Sequence, residues 1–175
     1  QNAEYYLMDY SKTNFEDNKF DALYAIESFV HSPEATATLR EFFRILKPGG
    51  KLAIFDYTIS ADREFTNYEQ KMWNLIVERT AMGSIKNMRH GSFANLLKKQ
   101  GFECIIQKDI SQNVLPSIRK LNRLAKIPYI FVDSLRLHKH FINVTAAIEV
   151  YNLARKGIFK YNIFTAKKPK KQNEN

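Results

Sequence analysis

Cysteine is almost absent from this sequence. Cys104 is the only one among 175 residues, so the chain cannot form an internal disulfide and is not a disulfide-framework domain. A single thiol fits a reducing compartment, and we therefore expect a cytoplasmic location. Long apolar runs are also missing, since no stretch approaches the roughly 20 residues that a membrane-spanning helix needs.

Metal-ligand patterns are lacking as well. His90, His138 and His140 have no zinc-type spacing with Cys104 or with paired acidic residues. We interpret His138 and His140 as residues of a helix face, and we expect no metal. Glycine is scarce too, and none of the six glycines occurs before Gly49.

Charge and composition allow several classes of partner. Lys and Arg number 27 against 18 Asp and Glu, which gives a net charge of +9. Such an excess can attract nucleic acid, an anionic membrane or an acidic substrate. Much of it lies in the last third and in the tail KKPKK, which we interpret as a solvated end. With 45% apolar and 26% charged residues, the composition is that of a globular domain.

The first half of the chain predicts a strand–helix–strand unit. A short apolar run over 5–9 predicts a strand that ends at Asp9, and FDALYAIES predicts a strand covered on both faces. Ser32 is the predicted N-cap of a helix, with Pro33 in its first turn and LKPGG at its end. KLAIFDYTIS predicts a second buried strand, parallel to the one before the helix.

The second half adds further helices and two strands. Helices are predicted over 62–82, from Ser92 to Gly101, over 114–126 and over 133–157, and strands over 102–110 and 158–169. The predicted class is α/β, with a largely parallel sheet and a final hairpin-like pair of strands.

Three stretches resemble a known family. DYSKTNFEDNKFDALYAIES, FFRILKPGGKLAIFDY and LLKKQGFE resemble the class I S-adenosylmethionine-dependent methyltransferases, and YAIESFVHSP is similar to a segment of sterol C-methyltransferases. The resemblance implies a Rossmann-like, mostly parallel methyltransferase sheet that uses S-adenosylmethionine and releases S-adenosylhomocysteine. It implies a division into 1–112 (C-terminal portion of the core), 113–157 (helical lid over the acceptor), 158–169 (final core strand) and 170–175 (basic tail).

The chain departs from this family at its beginning. Methyltransferases of this class open with a strand and a glycine-rich loop, and no such loop precedes LKPGG here. We therefore expect the sheet to lack its first strands in this stretch of sequence. FDALYAIES would then be an exposed apolar edge, which favours aggregation. We expect these residues to belong to a longer polypeptide; the alternative is that another chain supplies the missing half.

The cofactor residues follow from the resemblance. An acid at the position of Asp9 would accept a hydrogen bond from the adenine amino group, with Tyr10, Phe15 and Ile26 beside the cofactor. The alternative for Asp9 is a turn aspartate that caps its own loop.

Glu27 and His31 are the candidate catalytic residues. A carboxylate at the end of a buried strand needs a hydrogen-bond partner, an open cleft or a cation, because breaking a buried charge pair costs about 3–5 kcal/mol. Glu27 would stabilise positive charge near a sulfonium, or it has a structural role only. Histidine side chains ordinarily have a pKa near 6.5, so His31 is a candidate to remove a proton at neutral pH. Alternatively, His31 satisfies a helix terminus or pairs with Glu27.

The acceptor pocket is assigned to aromatic residues. Phe29, Tyr57 and Trp73 are its predicted walls, since aromatic faces stabilise cations; Asp56 is either a cleft acid or a turn residue. We expect an apolar small-molecule acceptor, such as a sterol or another isoprenoid or lipid. N- or O-methylation of a small polar metabolite and a non-catalytic scaffold subunit are the alternatives.

The remaining partner predictions concern surfaces. The segment 114–126 predicts a basic amphipathic helix, either a lid packed on the core or a peripheral contact with an anionic membrane. We expect no nucleic-acid partner, because the base-handling motifs of methyltransferases are missing. An oligomer is compatible with the sequence.

Overall fold

Four strands and five α-helices build the structure, a computed structural model that describes residues 3–60 and 64–170. In chain order they are β1 (Phe20–Ile26), α1 (Ala35–Ile45), β2 (Leu46–Ile59), α2 (Asn67–Arg79), α3 (Ser92–Lys99), β3 (Glu103–Asp109), α4 (Ser111–Ser134), α5 (Ile142–Arg155) and β4 (Phe159–Lys167). Short 3₁₀ turns cover Phe29–His31 and Ile85–Asn87.

The sheet has the order β1-β2-β4-β3. β1 and β2 are parallel, and β4 is antiparallel to both β2 and β3. Three strands therefore run in one direction and the last runs against them, which confirms the predicted α/β class and mostly parallel sheet. The final pair β3 and β4 is antiparallel as predicted, but α4 and α5 connect the two strands instead of a tight turn.

The predicted strand over 5–9 is wrong. These residues have no strand conformation, and Tyr5 is 91% exposed. A strand needs a neighbour to accept and donate its backbone hydrogen bonds, and no described strand pairs with this segment. Side chains hold the following loop instead, since Tyr10 Oη donates to the Ser28 carbonyl at 3.0 Å and the Thr13 amide donates to Glu41 at 2.9 Å.

The predicted N-cap of α1 is also wrong. The cap is Glu34, whose carboxylate accepts the amides of Thr36 and Ala37. These hydrogen bonds lower the pKa of Glu34, as expected for an acid at the positive end of a helix dipole. Ser32 follows the 3₁₀ turn as its C-cap instead, and its Oγ hydrogen-bonds with the hydroxyl of Thr38.

Other element boundaries shift by a few residues. α1 ends at Ile45, and the LKPGG turn belongs to β2, in which Gly50 has no room for a Cβ because the Lys47 carbonyl oxygen would lie 2.7 Å away. α3 follows Gly91, a residue with φ +81°, and ends at Lys99. The helices predicted over 114–126 and 133–157 have different bounds in the structure. α4 continues to Ser134, and α5 begins only at Ile142.

The β1 prediction is correct in position and wrong in burial. β1 pairs on one side only, so it forms an edge of the sheet. Tyr24 is 77% exposed and Ile26 is 56% exposed, whereas the apolar run had predicted cover on both faces. The expected exposed apolar edge is therefore present.

The lid is attached to α2 by a buried carboxylate. Glu149 on α5 accepts hydrogen bonds from the hydroxyls of Tyr129 on α4 (2.8 Å) and Tyr68 on α2 (3.0 Å). The two hydroxyls also contact each other at 3.1 Å.

Among the described residues, neither α4 nor another helix combines the length and apolar content that a bilayer crossing requires.

Candidate functional site

A cavity of about 420 Å³ lies between the carboxyl ends of β1 and β2 and the helices α4 and α5. In open α/β sheets this edge is where ligands bind. The wall is mostly apolar and is formed by Glu27, His31, Tyr57, Trp73, Ile76, Thr80, Met82, Ile118, Leu121, Asn143, Ala146, Ala147, Val150 and Phe159. The structure therefore brings Glu27, His31, Tyr57 and Trp73 together.

Glu27 leaves the end of β1 in an unusual backbone conformation. Its amide donates to the Phe55 carbonyl at 2.8 Å, which extends the ladder by one residue, and its φ is +49°. A left-handed backbone at a residue with a Cβ costs on the order of 1 kcal/mol and is found mostly at functional sites and tight turns. The Glu27 side chain is exposed to the cavity, and Oε1 accepts the hydroxyl of Tyr161 at 3.1 Å.

Two tyrosine hydroxyls remain protonated beside this carboxylate. Burial raises the pKa of Tyr57, and the negative charge of Glu27 raises it further. The same two causes raise the pKa of Tyr161. Both hydroxyls are therefore neutral at physiological pH and can donate hydrogen bonds.

Asp56 supports the site from below. Its side chain is fully buried, Oδ2 accepts the Val30 amide at 2.9 Å, and Oδ1 accepts the Tyr57 amide at 2.8 Å. Burial raises the pKa of Asp56 to about 6, although the two amides oppose that shift. Asp56 is not part of the cavity wall. Through its bond to the Val30 amide, it attaches the 3₁₀ turn that contains His31 to β2.

His31 ends the 3₁₀ turn at the mouth of the cavity. The side chain is exposed, and the backbone amide donates to the Ser28 carbonyl at 3.1 Å. The capping role at the next helix belongs to Glu34, so His31 does not satisfy the α1 terminus. Its position beside Glu27 on the cavity wall leaves an acid–base role open.

Phe29 does not line the cavity, contrary to the prediction. It is fully buried, with its ring 5.3 Å from that of Phe93 in the core beneath the sheet edge. The 3₁₀ turn directs Phe29 inward and His31 outward, an alternation that a strand or α-helix pattern does not reveal.

Several residues of the cavity wall were not among the predicted pocket residues. Phe159 packs against Tyr57 at 4.8 Å and against Trp73 at 6.1 Å between ring centroids, and completes the aromatic wall. The lid contributes small and aliphatic side chains, which are Ile118, Leu121, Ala146, Ala147 and Val150. Ile118 and Leu121 lie on the apolar stripe of the amphipathic helix predicted over 114–126, but they were not assigned to the acceptor pocket.

Of the predicted cofactor residues, Asp9 and Tyr10 lie on the loop before β1, next to the carboxyl end of that strand. Asp9 is exposed, and Oδ1 accepts the amide of Ser11 at 2.8 Å and its hydroxyl at 2.7 Å, which lowers the pKa of Asp9. These two hydrogen bonds are the ones expected for the alternative interpretation, in which Asp9 is a turn aspartate that caps its own loop. Tyr10 Oη bonds the Ser28 carbonyl, so the loop is held beside the residue that follows Glu27.

Phe15 and Ile26 lie at opposite ends of β1, so the structure does not bring the four predicted cofactor residues together. The Phe15 ring contacts Phe20 edge-to-face at 4.9 Å, and Ile26 is half exposed at the end of β1. Within residues 3–60 and 64–170, no group of three His, Cys, Asp or Glu side chains could hold a metal ion.

Comparison with known structures identifies the fold. Phosphoethanolamine N-methyltransferase 2 of Haemonchus contortus, solved with phosphomonomethylethanolamine and S-adenosylhomocysteine, matches with a TM-score of 0.68 and 18% identity. The match covers 93% of this chain and 36% of that one. The profile of the family described as a methyltransferase domain matches residues 1–54. The chain has the fold of this structure, and its first 54 residues match the methyltransferase-domain profile.

Two curated relatives extend the methyltransferase comparison. A sterol 24-C-methyltransferase of Saccharomyces cerevisiae is 32% identical over 106 residues, which are 60% of this chain and 27% of the relative. An S-adenosyl-L-methionine-dependent Diels-Alderase of Talaromyces variabilis is 29% identical over 153 residues, which are 85% of this chain and 51% of the relative. The chain thus spans about half or less of the length of these relatives.

Proposed function

We propose that the protein transfers a methyl group from S-adenosylmethionine to an apolar small molecule, a sterol or another isoprenoid or lipid. The main support is the cavity itself, whose wall is mostly aliphatic and aromatic and whose ionisable acid and base are Glu27 and His31. An apolar acceptor would bury its carbon skeleton against Trp73 and the lid helices. The carbon to be methylated would face the two ionisable side chains.

The residues beside the cavity fit a sulfonium cofactor in part. Asp9 carries an exposed carboxylate that can accept from an amino group, and the Tyr10 contact with Ser28 holds its loop at the end of β1. Ile26 offers apolar surface at the same end of β1, whereas Phe15 packs against Phe20 at the other end of the strand. S-adenosylmethionine, when bound, supplies an electrophilic methyl group and leaves as S-adenosylhomocysteine.

Glu27 would stabilise positive charge. Methylation of an alkene creates a carbocation on the acceptor, and a fixed carboxylate lowers the free energy of that state relative to the neutral substrate. Tyr161 orients the carboxylate through its 3.1 Å hydrogen bond. The aromatic faces of Tyr57, Trp73 and Phe159 contribute further, by up to about 2 kcal/mol for a desolvated cation.

His31 would take the proton that the cationic acceptor must lose. It lies on the cavity wall with Glu27 and is open to solvent on its other side, so a proton can pass to water. The lid helices α4 and α5 exclude water from the apolar end of the cavity. The division into core (1–112), lid (113–157) and final strand (158–169) is part of this proposal.

Cycloaddition is the second candidate function. The relative that matches the lid as well as the core is named a Diels-Alderase. An apolar cavity can accelerate such a reaction by holding a flexible polyene in a reactive conformation, without any group transfer. An assay distinguishes the two functions by product mass, because methylation adds one carbon whereas cycloaddition within one molecule leaves the mass unchanged.

The test uses the intact protein with S-adenosylmethionine carrying a labelled methyl group. Sterols, linear isoprenoids and fatty acyl compounds form the apolar acceptor panel, and amines and phenols form the polar panel. Label in an apolar product supports the proposal. Label only in polar products would replace it with the polar-metabolite alternative. Binding of S-adenosylmethionine with neither a methylated nor a cyclised product would favour a scaffold subunit.

A cavity-filling variant makes the test specific. Ala147→Phe places a ring in the cavity, so we expect the KM of a large apolar acceptor to rise about tenfold or more while cofactor affinity stays unchanged. Ala94→Phe, at a half-buried alanine on α3 outside the cavity wall, is the matched control. Equal acceptor kinetics in the two variants would remove this cavity from the reaction.

A further inference from the structure

The outer surface of the lid helix α4 is unusually apolar. Leu124 is 68% exposed, Ile127 is 71% exposed and Phe131 is 65% exposed. Their spacing of three and four residues places them on one face of the helix. The opposite face is buried against the protein through Asn122, Ala125 and Val132. The exposed apolar side chains are therefore not the inward packing face of the lid, and no described residue covers them.

Basic side chains accompany this apolar surface. Lys120 and Arg123 lie on the same outer face and are exposed, and Lys126 is exposed at its side. α4 contains four basic residues, Arg119, Lys120, Arg123 and Lys126, and its one acid is Asp133 near the C-terminal end. Lys120, Arg123, Leu124, Ile127 and Phe131 are called the docking face below.

We propose that the docking face binds an anionic phospholipid bilayer. An apolar stripe flanked by lysine and arginine matches a membrane interface, in which acyl chains accept the apolar side chains and phosphate groups neutralise the cations. A typical acidic protein partner would satisfy the cations but not a helix face of leucine, isoleucine and phenylalanine. The mixed chemistry of this face therefore favours the lipid surface.

The inner side of the same helix faces the cavity. Ile118 and Leu121 line the cavity wall, and Leu121 is also 58% exposed. A docked α4 would therefore place the mouth of the cavity at the membrane surface, where an apolar acceptor dissolves. This consequence depends on the proposed methyl transfer, whereas the docking itself does not.

The experiment measures binding of the intact protein to vesicles by flotation, with no substrate present. Vesicles of phosphatidylcholine alone are compared with vesicles that also contain phosphatidylserine. We expect stronger binding to the anionic vesicles, with most of the difference lost at high salt. Each basic residue near an anionic surface contributes about fivefold to binding, so Lys120→Glu with Arg123→Glu should weaken binding by more than tenfold.

Two further variant pairs make the result specific. Leu124→Ser with Ile127→Ser removes apolar contacts and should also weaken binding about tenfold, although both side chains are exposed and the fold does not depend on them. Lys98→Glu with Lys99→Glu makes the same change of charge on the exposed end of α3, and it should leave binding nearly unchanged. Circular dichroism checks that each variant is folded.

Several results would overturn the proposal. They are equal binding to both kinds of vesicle, equal binding by the docking-face and α3 variants, and no binding by the wild type. Sedimentation equilibrium supplies a separate criterion. A dimer that dissociates when Leu124 and Ile127 are replaced would identify the docking face as a contact between two copies of the protein. A methyl-transfer assay with a detergent-dispersed acceptor is independent of vesicle binding, so failure of either proposal is recognised separately.

Discussion

The hydroxyl of Tyr161 donates a hydrogen bond of 3.1 Å to Oε1 of Glu27, across 134 positions of sequence. Tyr161 stands on β4, Glu27 follows β1, and β2 lies between them in the sheet. Tyr57 of β2 has its ring 5.2 Å from that of Tyr161. These three side chains form a row across three strands, and the row determines where the carboxylate lies at the polar end of the cavity.

Tyr161→Phe removes the hydroxyl and retains the ring. Hydrogen bonds to charged groups contribute about 1.5–3 kcal/mol, and the exposure of Glu27 places this one at the lower end. We therefore expect kcat/KM for methyl transfer to fall about tenfold with cofactor affinity unchanged. Tyr151→Phe, on α5 and outside the cavity wall, is the control. Combined with Glu27→Gln, Tyr161→Phe should cost little more, because the hydroxyl acts through that carboxylate. Additive losses would contradict a positioning role.

Glu27→Gln removes the negative charge and leaves the size of the side chain unchanged. Loss of one preorganised electrostatic group typically lowers kcat about a hundredfold or more, and we expect that loss with an alkene acceptor. The unfolding free energy should change little, since Glu27 is exposed. Glu78→Gln, an exposed glutamate on α2 outside the cavity wall, is the control. Rates for the two variants are compared at saturating acceptor, and unchanged turnover in Glu27→Gln would exclude charge stabilisation by this residue.

Asp56 should make stability depend on pH in the mildly acidic range. Its pKa is about 6 in the folded protein, against an ordinary value of 3.8. Between these values the folded protein holds the proton more tightly than the unfolded chain does, so stability falls as pH rises from about 4 to about 6 and is level above that. The decline amounts to about 3 kcal/mol, because each pKa unit corresponds to about 1.36 kcal/mol.

Asp56→Asn tests this dependence. Asparagine cannot ionise, so the decline should disappear, although one of the two backbone amides loses its acceptor at a cost of about 1 kcal/mol. Urea titrations at about pH 4 and about pH 7 measure the unfolding free energy of both proteins. The difference between them cancels the contributions of the other carboxylates. A difference that is the same at both pH values would show that Asp56 ionises normally.

The lid connection predicts a coupled pair of tyrosines. Tyr68→Phe and Tyr129→Phe each remove a donor to the buried Glu149 carboxylate, at a cost of about 1 kcal/mol each in unfolding free energy. Because the two hydroxyls also contact each other, we expect a coupling energy of at least about 0.5 kcal/mol in a double-mutant cycle. Urea unfolding of the four proteins gives the cycle. Strict additivity would mean that the hydroxyls bind Glu149 independently.

Local sequence signals located most elements and misplaced their ends. The apolar runs FDALYAIES and KLAIFDYTIS form β1 and most of β2, because short apolar runs bounded by turn residues favour strands. The cap of α1 moved from Ser32 to Glu34 because a carboxylate two positions further on reaches the same free amides. The segment 5–9 was misread since an apolar run indicates a strand only where a neighbouring strand offers hydrogen bonds.

The candidate site was predicted in part. Glu27, His31, Tyr57 and Trp73 were selected from strand ends and a helix face, and all four line one cavity. Phe29 was assigned to the pocket because sequence does not show which way a single 3₁₀ turn directs each side chain. Phe159 and the lid alanines carried no distinguishing signal, since an apolar residue on a strand or helix is usually part of the core.

The sequence by itself determined the order of strands and helices, the α/β class and the methyltransferase resemblance. These depend on hydrophobic periodicity, caps and turns, which act between residues a few positions apart. Only the tertiary structure decided that Tyr161 reaches Glu27, that Asp56 lies under the site instead of in it, and that α4 presents an apolar basic face outward. Such contacts join distant parts of the chain through the packing of the sheet and lid, and no short-range pattern in the sequence encodes that packing.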